Sequence, residues 1–437
     1  MSEQTPVRRN DNVAWMREAS PYIRAHRGEI CVVYIGGEAL NDASLEGLVQ
    51  DLILLRGLGL KLIVVHGARP QIDACCSEAG LVQPLLGNLR VTDAATLACV
   101  KNGVSAVRLE LEARLSQAAM DMPNRGASLT VSGGNFVIAR PAGIINGVDL
   151  HFTGEVRRID RQAITRRLDD DELVLVSPLG YSPTGEIFNL NALDLVTAVA
   201  CEFQAAKLIL MAEPPGIVDA NGVTVRQLTI GEARELDTGL ASSMRLLACA
   251  TRACQFGVSR VHIVDRTMDG VLLQELFTRD GVGTLVSHTP MDHLRRATIE
   301  DVGGILALIE PLEQDGVLVK RSREKLEMEI DHYSVIIREG TVIACGALHP
   351  FPNATGELGC IAVHADYRSG GFGNDILRAL ERRAESAGLR EVFVLTTQAT
   401  HWFQERGYAR ASLDDLPLER RALYNAQRNS VVMLKSI

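Results

Sequence analysis

The stretch Glu357-Leu-Gly-Cys-Ile-Ala-Val363 is followed five residues later by Arg368-Ser-Gly-Gly-Phe-Gly373 and then by an amphipathic segment. This order reads as a buried strand, a glycine-rich turn, and a helix whose first amides face back into the turn. Free N–H groups at a helix start attract anions, and glycines let the backbone come close to a ligand. Arg368 adds a planar fork of donors suited to phosphate. Such a turn often does no more than start a helix. With the arginine, it predicts that Arg368, Gly370, Gly371, Phe372 and Gly373 hold a pyrophosphate-bearing ligand. A second strand-to-glycine junction, Ile35-Gly-Gly37, suggests another close backbone approach to a polar molecule.

The elements that position these residues follow from pattern. Residues 28–286 alternate strand-like apolar runs with stretches of helical period. Candidate strands are Ile30–Ile35, Leu60–His66, Leu173–Ser177, Lys207–Ala212 and Val261–Asp265; Leu45, Leu48, Val49, Leu52 and Leu55 mark one helix. Alternation of this kind implies an α/β fold with a mostly parallel sheet covered by helices. Residues 1–27 read as a helical arm, amphipathic from Val13 to His26. The polar, proline-containing segment 287–294 reads as a linker, and residues 295–437 as a second α/β domain.

At 437 residues the chain has room for two or three cores. A hydrophobic content of 46% marks a globular chain, and a net charge of −9 without a basic stripe argues against nucleic-acid binding. The nine cysteines are irregularly spaced, with no CxxC pair and no companion histidine cluster. That pattern suits reduced thiols and gives no expectation of a metal. No apolar run reaches a membrane span, and the polar Met1–Asn12 segment lacks a signal-peptide core. A cytoplasmic protein is expected.

Arg368-x-x-Gly371-x-Gly373 after an apolar strand resembles motif A of the GNAT N-acetyltransferases. Arg296-Ala-Thr-Ile-Glu-Asp301 resembles the family's opening, Glu391–Thr397 its next strand, and Trp402–Tyr408 its late helix entering a strand. The resemblance implies acetyl-CoA as cosubstrate, with the N–H groups of Ile361 and Val363 polarising the thioester and holding the pantetheine arm.

The first domain resembles the amino-acid kinase family, most closely its acetylglutamate kinases. The likeness runs through Gly36-Gly37, His66–Ile72, Leu89–Asp93, Asn189–Ala192, Ala206–Leu210 and Leu276–Thr284. The family's lysine before Gly-Gly is missing, because Tyr34 and Ile35 stand there, and Leu193 replaces its aspartate. Phosphoryl transfer depends on positioned positive charge and metal. The domain is therefore expected to be inactive towards ATP. In arginine-inhibited relatives a histidine, a glutamate and a glycine turn hold the effector; His262, Glu275 and Gly281 fall at those positions. Taken singly, His262 is equally a packed strand histidine and Glu275 a solvated helix residue. Arg69, Arg90 and Asn189 match the kinase's acyl-amino-acid pocket.

A kinase-like domain joined to a GNAT domain resembles the long bacterial N-acetylglutamate synthases. The likeness implies acetyl transfer from acetyl-CoA to the α-amino group of L-glutamate, with L-arginine as feedback inhibitor and a homo-oligomer, a hexamer, as the assembly. Residues carried over as glutamate contacts are Arg321, Cys360, Gln398, Arg420, Arg428 and Ser430. Glu357 could accept the ammonium proton through water, or simply end a strand in solvent. No tyrosine stands in Thr400–Gln404, so the leaving thiolate departs unassisted or takes a proton from Ser430 or water. A GNAT enzyme acting on another amino acid or amine, with an arginine-sensing domain, remains the alternative.

Overall fold

The computed structural model describes residues 11–437 except 122–128, 215, 220–221, 279, 289–292, 339, 369–370, 426–427 and 429. The chain divides into two compact units, Met1–Pro290 and Met291–Ile437.

The first unit is built on an eight-stranded sheet with the spatial order Gln227–Thr229, Thr284–Ser287, Arg260–Asp265, Lys207–Ala212, Ile30–Ile35, Lys61–His66, Leu173–Val176 and Val131–Gly133. Every neighbouring pair is parallel except Arg260–Asp265 with Thr284–Ser287. Strands buried on both faces are near-continuous apolar runs, and Lys207–Ala212, apolar after its first residue, is buried at all six positions. Helices cover the two faces and make two apolar cores. One core gathers Val32, Ile63, Val174, Val199 and Leu208, the other Val33, Leu52, Val64, Leu111 and Ile209. A closed four-stranded barrel of Leu179–Tyr181, Ile187–Leu190, Thr153–Ile159 and Val137–Pro141 is added to this sheet unit. Its short strands carry little periodicity, and the sequence pattern gave no expectation of it.

The second unit is a seven-stranded sheet. Its order is His293–Arg296, Tyr333–Arg338, Thr341–Phe351, Thr355–Val363, Glu391–Thr396, Val431–Ser436 and Ala409–Ala411. All pairings are antiparallel but one. Thr355–Val363 runs parallel to Glu391–Thr396, and their register stops at Glu357↔Phe393. Beyond that point the two strands part. The helix Phe372–Ser386 packs Ile376, Leu377, Leu380 and Ala384 against this sheet.

Candidate functional site

The parting of the two central strands opens a cavity of about 500 Å³ in the second unit. Leu358–Ile361 and Val363 form one wall, and Val394–Gln398 the other. The mouth carries Arg368, Gly371, Gly373 and Asn374 at the start of the Phe372–Ser386 helix. Gly371 is the residue before that helix and holds φ +79°, a left-handed conformation that side chains disfavour. Arg368 is exposed and has no hydrogen-bond or ion-pair partner among the described residues. The loop therefore offers a free guanidinium and helix-start amides to one anion. Gly370 lies outside the described residues. Phe372 turns away from the cavity and stacks edge-on against Tyr367, with Arg338 over both rings.

The cavity also holds a cation not singled out from the sequence. Arg406 lies 4.0 Å over the Trp402 ring and donates to the Trp402 carbonyl. Its Nε is buried without a partner among the described residues. The signal was present in Trp402-Phe-Gln-Glu-Arg406: an i, i+4 spacing places an arginine on the aromatic ring one turn earlier.

The motif strand is irregular where its chemistry is expected. Its register with Thr341–Phe351 shifts between Cys345 and Ala347, and Cys360 takes φ +51°. This bulge re-aims the backbone around Ile361. Cys360 is buried, and its carbonyl accepts from the Cys345 thiol at 3.5 Å. The Cys345 thiol and the nearby Arg321 guanidinium outweigh burial and lower the Cys360 thiol.

Glu357 stands where the strands part, opposite His349 and Phe393. It is not in open solvent: Arg420 grips it with two hydrogen bonds, Nε to Oε2 at 2.5 Å and Nη2 to Oε1 at 3.0 Å. The side chains are 19% and 15% exposed, so a bidentate pair of this kind is only partly screened. The next residue, Arg421, turns instead to Asp414. Arg321 and Arg428 converge on one loop. Arg428 donates to the carbonyls of Gly316 and Val317 at 3.1 and 2.8 Å. Arg321 leaves the same loop, its backbone N–H bonded to Glu313, and its guanidinium lies beside Gly359. Gln398 is exposed on the opposite wall, and Ser430 precedes the Val431–Ser436 strand, which pairs Val431 with Thr396. The Tyr424 hydroxyl donates to the Ser430 carbonyl at 2.9 Å. Among these residues only Cys360 and Gln398 line the cavity itself; Arg428 holds the carbonyl of Val317 in its lining, the Arg321 guanidinium lies beside Gly359 of its wall, and Glu357 precedes Leu358 of that wall.

In the first unit the structure brings His262, Glu275 and Gly281 together. The His262 ring nitrogen Nδ1 and Glu275 Oε1 are 2.6 Å apart, and both residues are buried. Glu275 Oε2 accepts from the N–H groups of Val282 and Gly283 at 2.6 and 2.8 Å. A β-carbon on Gly281 would meet that oxygen at 2.5 Å, and its φ is +58°. Burial favours a neutral Glu275, but His262 and the two amides prevail and hold it at about 2. Burial and the Lys207 charge lower the His262 imidazole. A neutral His262 donates from Nδ1 to the carboxylate. Its Nε2, buried and without a partner among the described residues, is then an open acceptor.

The residues of the old kinase pocket divide. Arg90 is tied to Asp73 and Gln83, and Asn189 donates to Thr92 at 3.1 Å. Arg69 is exposed with no such partner among the described residues.

Comparison with known proteins places both units. The Amino acid kinase family matches residues 29–265, and the Acetyltransferase (GNAT) family matches residues 305–408. Over 430 residues the chain is 50% identical to the amino-acid acetyltransferases of Pseudomonas aeruginosa and Pseudomonas putida, covering 98% of this chain and 100% of each relative. The crystal structure of N-acetylglutamate synthase from Neisseria gonorrhoeae complexed with coenzyme A and L-arginine is 37% identical. It aligns over 97% of this chain and 99% of its own, with a TM-score of 0.88. The same enzyme complexed with coenzyme A and N-acetyl-glutamate gives a TM-score of 0.63.

Proposed function

Because this chain belongs to the amino-acid acetyltransferase family, with an amino acid kinase region ahead of a GNAT region, we propose the following account of its chemistry. The protein is an N-acetylglutamate synthase: it moves acetyl from acetyl-CoA to the α-amino group of L-glutamate, giving N-acetyl-L-glutamate and CoA. The observation that best supports the assignment of roles is the parting of the two central strands after Glu357, which opens a cleft beside a glycine-rich anion loop and leaves the Arg420-held Glu357 at the point of parting.

Acetyl-CoA enters the parted strands with its pyrophosphate on Arg368 and the Gly371–Gly373 loop. The N–H groups of Ile361 and Val363 polarise the thioester carbonyl. Two carboxylates on glutamate call for two separated cations, which Arg321 and Arg428 supply. Arg420 serves first to hold Glu357, and Glu357 takes the ammonium proton through water. The freed amine attacks the thioester carbon, the C–N bond forms as the C–S bond breaks, and the proton shed by the new amide nitrogen passes by way of the Ser430 hydroxyl to the departing thiolate.

L-Arginine acts at His262, Glu275 and Gly281. Glu275 keeps one lone pair free on Oε1, and His262 Nε2 accepts one further donor, so a guanidinium finds two acceptors already fixed by the backbone. The effector lowers activity by binding one conformational state better than another. The working assembly is a homohexamer, the compartment the cytoplasm, and the first unit does not phosphorylate.

The test is thiol release from acetyl-CoA with L-glutamate and a panel of other amino acids, with and without L-arginine. Turnover that prefers glutamate and falls with arginine is expected. Turnover on glutamate untouched by arginine would remove the effector site and leave the synthase. Activity only on another amine would overturn the substrate.

A further inference from the structure

The second unit holds a pair of imidazoles that the reaction as described does not use. His349 stands on the Thr341–Phe351 strand directly opposite Glu357, a pairing that puts their β-carbons roughly 5 Å apart on one face of the sheet. That face also carries Gly359, where the Arg321 guanidinium approaches. The His349 ring is half-buried, and neither of its nitrogens has a hydrogen-bond partner among the described residues. Stacked against it is His332, with ring centroids 4.9 Å apart and planes 28° from parallel. His332 is fixed in one tautomer. Its Nδ1 lies 2.9 Å from the Leu348 carbonyl, which can only accept, so Nδ1 carries the hydrogen and Nε2 the lone pair. Arg383 donates to the His332 carbonyl at 3.0 Å and to the Ser334 hydroxyl at 2.8 Å, which anchors the turn presenting that ring. Glu329, half-buried and 3.9 Å from Lys325, follows the Arg323–Met328 helix into the same turn. Burial lowers the His349 imidazole, His332 and Arg321 add to the lowering, and Glu329 and Glu357 act against it. His349 is therefore a neutral base with open nitrogens, one strand away from Glu357.

Glu357 is a poor place for a proton to stay. Arg420 holds both of its oxygens, and a proton on either one displaces a charge-assisted hydrogen bond. Imidazole is the side chain that changes charge near neutral pH, and it stands directly across the ladder. We propose that His349 is a relay behind Glu357: it takes the substrate's ammonium proton from the carboxyl group, directly or through one water, and releases it to solvent. Glu357 returns to carboxylate as His349 becomes imidazolium, and solvent removes the proton before the next turnover. Two stacked rings resist a second positive charge, so the pair carries one proton at a time and His332 hastens its release. His349 acts through Glu357 and touches no reacting atom. The relay rests on the reading of Glu357 as the base.

The test is kcat and KM for thiol release, at saturating substrates and across the neutral pH range. His349→Ala should lower kcat about tenfold, less than removal of the base itself, and leave the KM for acetyl-CoA unchanged. Imidazole added to His349→Ala should restore kcat, whereas pyrazole, of the same shape and far less basic, should not. His332→Phe keeps a stacked ring and removes the neighbour that lowers His349, so the acid limb of kcat should move to higher pH. That variant decides the matter even if His349→Ala melts early. A wild-type kcat in His349→Ala overturns the relay, as does an acid limb unmoved in His332→Phe. Equal rescue by imidazole and pyrazole overturns it too, by making the ring a filler. Glu357→Gln separates the two claims. A fall there with none in His349→Ala removes the relay and leaves the base, while an unaltered kcat in Glu357→Gln removes both.

Discussion

Two glycine-rich turns stand at the ends of central strands, one in each unit, and the sequence writes them almost alike. After Ile30–Ile35 the sheet stays closed: that strand pairs with Lys61–His66 along its whole length and with Lys207–Leu210 on its other side. Gly37 there is needed because a β-carbon would meet Gln71 at 2.5 Å and the Ala68 backbone at 2.9 Å. After Thr355–Val363 the sheet is open, since pairing with Glu391–Thr396 ends at Glu357. Gly371 has nothing within 4 Å of its absent β-carbon and is needed for its φ of +79°, while Gly373 faces Trp402 at an ordinary 3.4 Å. The first turn spends its glycine on packing one loop against another. The second spends it on conformation and leaves the space to a ligand. A glycine motif therefore reports chemistry only through the pairing of the strand before it.

The strongest way to break this contrast is at the point where the strands part. Glu357→Gln keeps the shape and one of the two hydrogen bonds from Arg420 but removes the base. Its kcat for thiol release should fall about 10²-fold or more with the KM for acetyl-CoA little changed, the range that general-base catalysis contributes. An unaltered kcat would leave Glu357 as a purely structural partner of Arg420.

A pair of substitutions sharpens the contrast between the turns. Arg368→Ala should raise the KM for acetyl-CoA about tenfold, as loss of one charged hydrogen bond implies. Gly37→Ala should lower the melting temperature and leave that KM where it was. Equal effects on KM from both would mean that the two turns do the same work.

The smallest effect concerns acid. Glu275 is held at about 2, below its usual 4.5, by His262 and two amides acting against burial. Its stabilising contribution is complete above the ordinary carboxyl value and is lost as pH falls through the folded one. Melting of the wild type should decline over that window, and Glu275→Gln should show a shallower slope.

The fold class was legible because buried parallel strands are near-continuous apolar runs: Ile30–Ile35 and residues 208–212 stand out in the sequence. The small barrel was not, because strands such as Leu179–Tyr181 are too short to show a period. At the candidate sites, sequence could name the residues and not their partners. Glu357 and Arg420 are 63 positions apart, and nothing in either neighbourhood announces the pair. Nor could spacing tell that Arg90 is bound within the fold while Arg69 is left free, since both are arginines beside turns. Exposure and pairing are properties of the folded chain, and the free charges of the first unit became visible only there.

The opened edge of the motif strand has a consequence for isotope exchange. Backbone amides inside the closed sheet, such as those of Val32 and Ile209, should exchange with heavy water only on global opening, because both neighbours hold them. From Leu358 to Val363 the amides that face Glu391–Thr396 have lost their strand neighbour, so they should exchange quickly in the free protein. Acetyl-CoA lying in the gap would take the place of that neighbour. The same short peptide then becomes a label-free gauge of occupancy, readable by mass in a protein that is not turning over.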